Sequence, residues 1–172
     1  MSSSREYRLY TFVAGLYLNH LQKGLQTAHV VSELSQFKIN TMERVAFDAW
    51  AMFDKTIIIC DAGNHKGVVD CWAELSRINS ALNLPAAIFY EDEQSMNGMA
   101  TACGVIVPRE YWDVKFVDNF VPPGEYGVEA RPAYWVHTYE GASGAMRECR
   151  YDVTHPEGQF CSHIKQYRLT SA

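Results

Sequence analysis

Between Tyr7 and Pro108 the chain alternates short, β-branched apolar runs with stretches whose apolar residues return at helical spacing. Tyr7 to Ala14, rich in β-branched and aromatic residues, predicts a strand. Gly15 to Asn19 connects it to a helix reaching about Phe37, whose surface is mostly Leu21, Leu25, Ala28, Val30, Val31 and Leu34. Gln22, Gln26, His29 and Glu33 fall within about 60° of one another at roughly 100° of rotation per residue, so the helix carries one polar seam.

Thr41 to Met52 predicts a shorter helix with Thr41 as its N-cap. Lys55-Thr-Ile-Ile-Ile-Cys60 is a continuous apolar run, the pattern of a central strand covered on both faces. Asp61-Ala62-Gly63-Asn64 turns the chain into a helix from about His65 to Leu82, apolar at Val68, Trp72, Leu75, Ile78 and Leu82 and ended by Leu84-Pro85. Ala86 to Tyr90 follows as a strand, Glu91 to Thr101 as a loop, and Ala102 to Val107 as a strand closed by Pro108. The order βα(α)βαββ predicts an α/β domain over residues 1–108, a small mixed β-sheet flanked by helices.

After Pro108 the residues turn to Tyr, Trp, Gly, Pro and His, with no long apolar helix in the pattern. Ala133 to Glu140 and Ala145 to Val153 flank Gly141-Ala-Ser-Gly144 and predict a β-hairpin. Residues 109–172 therefore read as a β-rich extension packed on the core. Its aromatics Tyr111, Trp112, Tyr126, Tyr134 and Trp135 suit burial within the monomer and contact in a homodimer or higher homo-oligomer equally well.

At 172 residues and 48% hydrophobic, the chain can build one packed domain, or a core with a small appendage. A formal charge of −5 argues against affinity gained by wrapping a phosphate backbone, which needs dense Lys and Arg. A small phosphorylated ligand, held by backbone N–H groups and a few cations, stays compatible. No stretch approaches the roughly 20 apolar residues of a membrane span, and no apolar leader precedes Tyr10, so a soluble cytoplasmic protein without a membrane partner is expected.

Cys60, Cys71, Cys103, Cys149 and Cys161 form no Cys-x-x-Cys pair and are odd in number, which reads as reduced thiols. No metal is expected: His137, His155, Cys161 and His163 would have to meet in space, and their intervals fit no zinc-ligand pattern.

A solvent-facing helix shows the same polar stripe, so the seam gains meaning only beside two further segments, Asp61 to Asn64 and Glu91 to Ser95, each following a predicted strand. Ligands of open α/β sheets sit outside the carboxyl ends of strands; if these two strands are parallel neighbours, their loops share an edge and the seam forms a third wall. Gly63 permits close backbone approach and the N–H groups near His65 face an anion, although Asp61, Gly63 and Asn64 also suit an ordinary turn. One acid of Glu91-Asp92-Glu93 beside His29 serves as a base or fixes the imidazole tautomer, while a solvated acidic loop is the plainer reading. Gln94, Ser95, Asn97 and Thr101 offer donors and acceptors that read a base or sugar edge. No Gly-x-Ser-x-Gly, P-loop or Gly-x-Gly-x-x-Gly motif occurs, which argues against serine hydrolases, NTPases and dinucleotide oxidoreductases, and no cofactor is expected.

Over about residues 7–108 these elements resemble the type 2 peptidyl-tRNA hydrolases. The likeness rests on Gly24, Gln26, Ala28 and His29, on Lys55 to Cys60, on Ala86 to Asp92 and on Thr101 to Pro108. The wording Leu21 to His29, Lys55 to Ile59 and Glu91 to Ser95 also looks like uncharacterised tailed-phage proteins of this fold. The resemblance implies a peptidyl-tRNA hydrolase type 2-like core and, for an enzyme, His29, Asp92 and Lys23 as catalytic residues acting on the tRNA 3′ end. Two departures weaken that implication: the family's basic residue seven positions before the His is Gln22 here, with Lys23 one step on, and its Asp falls at Tyr90, Glu91 or Asp92. The alternative is a pocket without turnover, in which Gln22, Gln26, His29, Asp61, Gly63, Asn64, Glu91, Asp92, Gln94, Ser95, Asn97 and Thr101 hold a small nucleotide, such as a cyclic immune signal sequestered by a phage protein.

Overall fold

Parity along the strands decides which side chains meet which helix. A computed structural model describes residues 6–15, 18–38, 41–118, 133–141 and 143–167. Tyr126 and the tip residue Ala142 of the expected hairpin, like parts of the connection after Gly15, lie outside the described residues.

Strands β1 (Tyr7–Val13), β2 (Thr56–Asp61), β3 (Ala86–Tyr90) and β4 (Ala100–Pro108) form a mixed sheet in the order β2-β1-β4-β3. β1 and β2 are parallel, whereas β4 runs antiparallel to both β1 and β3. The chain is thus a mixed α/β protein. The apolar run at β2 is not a central strand as its pattern suggested, but an edge strand on which Ile57 is exposed. Its continuous apolarity arises because helices cover both faces of the sheet: Cys60 lies in the core cluster on one face and Ile59 packs on that of the other. The true centre is β1 and β4, and every residue of β4 is buried.

One face is covered by α1 (His20–Ser35) and α2 (Met42–Ala49), the other by α3 (His65–Leu82). α2 has the expected cap, Thr41 Oγ1 accepting from Arg44 N at 3.2 Å. It then runs into a π-helical turn, Trp50–Asp54, closed by Lys55 at φ 52° with its N–H on Trp50 O. On β4, Ala102 and Ile106 face the α1 side, while Cys103, Val105 and Val107 face α3.

The loop after β3 holds a short helix, α4 (Glu93–Met96), and the chain reverses at Asn97 and Gly98, both at positive φ. Beyond β4 come α5 (Arg109–Trp112) and a second, antiparallel sheet, β5 (Lys115–Val117), β6 (Tyr134–Glu140) and β7 (Met146–Asp152), in the order β5-β6-β7. The hairpin pairing Tyr134 with Asp152 is therefore present.

A helix absent from the sequence pattern follows: α6 (Pro156–Gln166). Its signals are short but legible, with Pro156 in the first turn, Glu157 beside it, and Phe160, Cys161 and Ile164 buried on one face. It packs on α3 and brings Phe160 and Ile164 into the same core as Phe12 and Leu75. Among the described residues, no helix is long and apolar enough to cross a membrane.

Candidate functional site

β1, β2 and β3 point the same way, so their carboxyl ends share one edge of the sheet with the start of β4. The loops after β2 and β3 do lie at this edge, but not as neighbours, because β1 and β4 separate them. What spans the gap is α1.

The centre is a cluster drawn from three elements. Gln26 Nε2 donates to Glu91 Oε1 at 2.6 Å, and Thr101 Oγ1 donates to Gln26 Oε1 at 2.7 Å. The same hydroxyl lies 3.4 Å from Glu91 Oε1. Gln26 and Thr101 are 6% and 1% exposed, so both ends of the amide are satisfied out of water.

A bulge makes this contact possible. Phe89 pairs with Ala102 but Tyr90 with Ala100, which leaves Thr101 as an extra residue on β4. By strict alternation Thr101 would face α3; instead Ala100 lies in the α3-side core and Thr101 meets Gln26 of α1.

Lys23, three residues before Gln26, lies over the other half of the edge. Its side chain is only 12% exposed, and Nζ stands 3.9 Å from Asp61 Oδ2. Asp61 Oδ1 accepts from Gly63 N at 2.7 Å. Gly15, at the end of β1, is required by this carboxylate, since a Cβ there would fall onto it. Sequence reasoning overlooked Gly15, although a glycine just past a strand's carboxyl end is a signal of close approach.

The remaining candidates divide between scaffold and rim. Gln22 is spent on a capping box: its N–H goes to Asn19 Oδ1 and its Oε1 accepts from Asn19 N, each at 2.9 Å. Lys23, not Gln22, is therefore the residue that turns towards the sheet edge. Asn64 caps α3, Oδ1 accepting from Gly67 N at 3.0 Å, while Gly63 takes φ +78°. His65, the first residue of α3, bonds Ala100 O through Nδ1 at 3.1 Å, tying the helix start to β4.

His29 lies flat on Phe89, ring centroids 4.2 Å apart and 8° between planes. Glu91 is the acid turned into the cluster, and Asp92 is exposed, its carbonyl accepting from Met96 N and Gly98 N. Gln94 and Asn97 are exposed, and the Ser95 side chain lies outside the described residues.

No group of three or more His, Cys, Asp or Glu among the described residues is arranged to hold a metal ion. The tail residues named above are used elsewhere: His137 bonds Asp113 O at 2.8 Å, and His163 lies 3.5 Å from Cys71 Sγ. No protein-family model matches the chain, and no curated protein sequence is significantly similar to it.

Chemically, the edge combines a carboxylate with one oxygen held by an amide that a hydroxyl fixes in turn, a largely enclosed lysine, a glycine at positive φ and a helix start. Such a set can present fixed acceptors to a base or sugar and a cation with backbone donors to a phosphate.

Proposed function

We propose that the carboxyl edge of the first sheet binds a small nucleotide, and that the protein is a cytoplasmic phage protein sequestering a cyclic nucleotide immune signal in a type 2 peptidyl-tRNA hydrolase-like fold. The observation that carries the reading is the Gln26–Thr101–Glu91 cluster, in which three elements converge to fix one carboxylate at the rim of the sheet. Lys23 supplies a cation at this edge, enough for one or two phosphates, and the net charge of −5 disfavours a longer nucleic acid. The mixed sheet and the polar edge at the carboxyl ends support the fold assignment.

A peptidyl-tRNA hydrolase is the second reading, and the orientation of Glu91 favours it: a carboxylate fixed by the Gln26 amide is a suitable base for water, with Lys23 as the cation. In that case Glu91 takes the role that the resemblance implied for Asp92. Native mass spectrometry of the protein with linear and cyclic nucleotides and a short N-acylaminoacyl-RNA mimic separates the two. Retention of one intact nucleotide, weakened in Lys23→Met by about ten- to a hundredfold, as for a lost charged hydrogen bond, supports sequestration. Release of the acyl amino acid, lost in Glu91→Gln while binding survives, establishes the hydrolase. Binding of neither ligand overturns both.

A further inference from the structure

On the opposite face of the sheet, α3, β4 and α6 bring three reactive side chains together. Cys71 Sγ lies 3.8 Å from Cys103 Sγ and 3.5 Å from His163 Nε2. The other imidazole nitrogen, Nδ1, is 3.1 Å from Gln166 Nε2. An amide N–H can only donate, so Nδ1 accepts and the ring proton sits on Nε2, aimed at Cys71. All five cysteines are free thiols, and four of them are buried.

These four are not equivalent. Burial pushes the Cys60 and Cys161 thiols up to about 12. Cys71 is lowered, first by the Cys103 thiol that donates to it and then by His163 and Tyr167, while Cys103 is raised by the same shared bond. Cys103 and His163 both donate to Cys71, so the negative charge of the pair rests there. A cavity of about 200 Å³, lined by Glu74, Val153, Gln159, Ser162, His163 and Gln166, ends on His163; Cys71 and Cys103, 1% and 0% exposed, lie behind that lining. Its rim carries the exposed residues Glu74 and Gln166.

We propose that Cys71 and Cys103 form an oxidisable dithiol, in which a small hydroperoxide arriving through this cavity is reduced by Cys71, beside His163, and Cys103 closes the disulfide. In the first step the Cys71 thiolate attacks a peroxide oxygen. The S–O bond forms as the O–O bond breaks, and the leaving hydroxide takes back from solvent the proton that the Cys71 thiol lost on ionising, becoming water. In the second step Cys103 attacks the sulfenic sulfur: the S–S bond forms, the S–O bond breaks, and the departing hydroxide takes the Cys103 proton. Two thiols lose two electrons, and one hydrogen peroxide becomes two waters. The sulfurs must close from 3.8 Å to about 2.05 Å. The product ties α3 to β4.

The test uses the full chain treated with hydrogen peroxide, quenched, alkylated after unfolding and mapped by peptide mass spectrometry. The expected product has lost two hydrogens, contains a Cys71–Cys103 linked peptide and is restored by dithiothreitol. In Cys103→Ser the same treatment should leave a dimedone-reactive sulfenic acid on Cys71. In His163→Gln the rate of oxidation should fall about tenfold or more, as for loss of a donor to a charged sulfur, whereas Cys149→Ser should leave it unchanged. Oxidation confined to the half-buried Cys149, or a Cys71–Cys103 link that forms only after unfolding in urea, overturns the proposal. The mapping of the unmutated chain decides the matter even where the His163 variant fails to fold.

Discussion

Replacing Thr101 by Val tests whether the cluster at the sheet edge is a built network or an incidental contact. Valine keeps the shape and the strand preference of threonine, so no cavity opens; only the hydroxyl is lost. That hydroxyl gives Gln26 Oε1 its 2.7 Å bond and lies 3.4 Å from Glu91. Its removal leaves the carbonyl of a 6% exposed amide without that donor. The expected cost combines a hydrogen bond with the desolvation of an orphaned acceptor, about 1–3 kcal/mol. For a chain of this size that lowers the melting temperature by about 2–4 °C per kcal/mol. Gln26→Leu removes both amide atoms and takes the 2.6 Å donor from the Glu91 carboxylate, at a similar or larger cost of about 2–3 kcal/mol. Once Gln26 is gone, the Thr101 hydroxyl no longer serves the amide, so the double variant should be less destabilised than the sum of the singles by about 1 kcal/mol. Urea unfolding followed by circular dichroism measures all four proteins. A Thr101→Val effect within error of zero, or strict additivity of the pair, would refute the argument that Gln26, Glu91 and Thr101 act as one unit.

Two glycines in helices should respond oppositely to alanine. Gly24 has open space around it, so Gly24→Ala should stabilise the protein by about 0.5–1 kcal/mol through backbone entropy; a Cβ at Gly67 would fall onto the Ala62 carbonyl, so Gly67→Ala should destabilise by about 1–3 kcal/mol. Thermal melts check both, and matching signs would show that close packing at the start of α3 is misjudged. Stability should also fall in alkali. Burial holds Cys60 and Cys161 protonated up to about 12, while unfolded thiols ionise near about 8.5, so their contribution is complete below that pH and is lost as pH rises towards 12. The slope is about 1.4 kcal/mol per pH unit for each thiol. Cys71, lowered rather than raised, contributes a slope of opposite sign that ends before this window opens. Urea midpoints measured across the window should flatten in the Cys60→Ala/Cys161→Ala protein, and an unchanged slope there would assign the alkaline loss to other groups.

Local chemistry was legible from the residues alone. The helix starting near His65, the Thr41 cap, the turn at Gly63-Asn64 and the strands from Tyr7 and Ala86 follow from periodicity and turn preference over a few neighbouring positions, and each stands where the pattern placed it. So did the prominence of Gln26, whose polar side chain on an apolar helix needed partners. Those partners depend on pairing between distant segments. An apolar run such as Ile57-Ile58-Ile59 reads alike in a central strand and in an edge strand roofed by helices, so β2 could not be placed without the sheet order. Adjacent acids are equivalent in sequence, yet only one faces inward, and the structure chose Glu91 over Asp92. Thr101 joined the cluster through a one-residue bulge, which reverses strand parity and leaves no mark in the alternation of apolar and polar positions. The junction of Cys71, Cys103 and His163 has the same origin, for it exists only because α6 returns from the far end of the chain to pack on α3. Short-range preferences dictate the elements, whereas burial shared between remote residues dictates their order and which side chains meet.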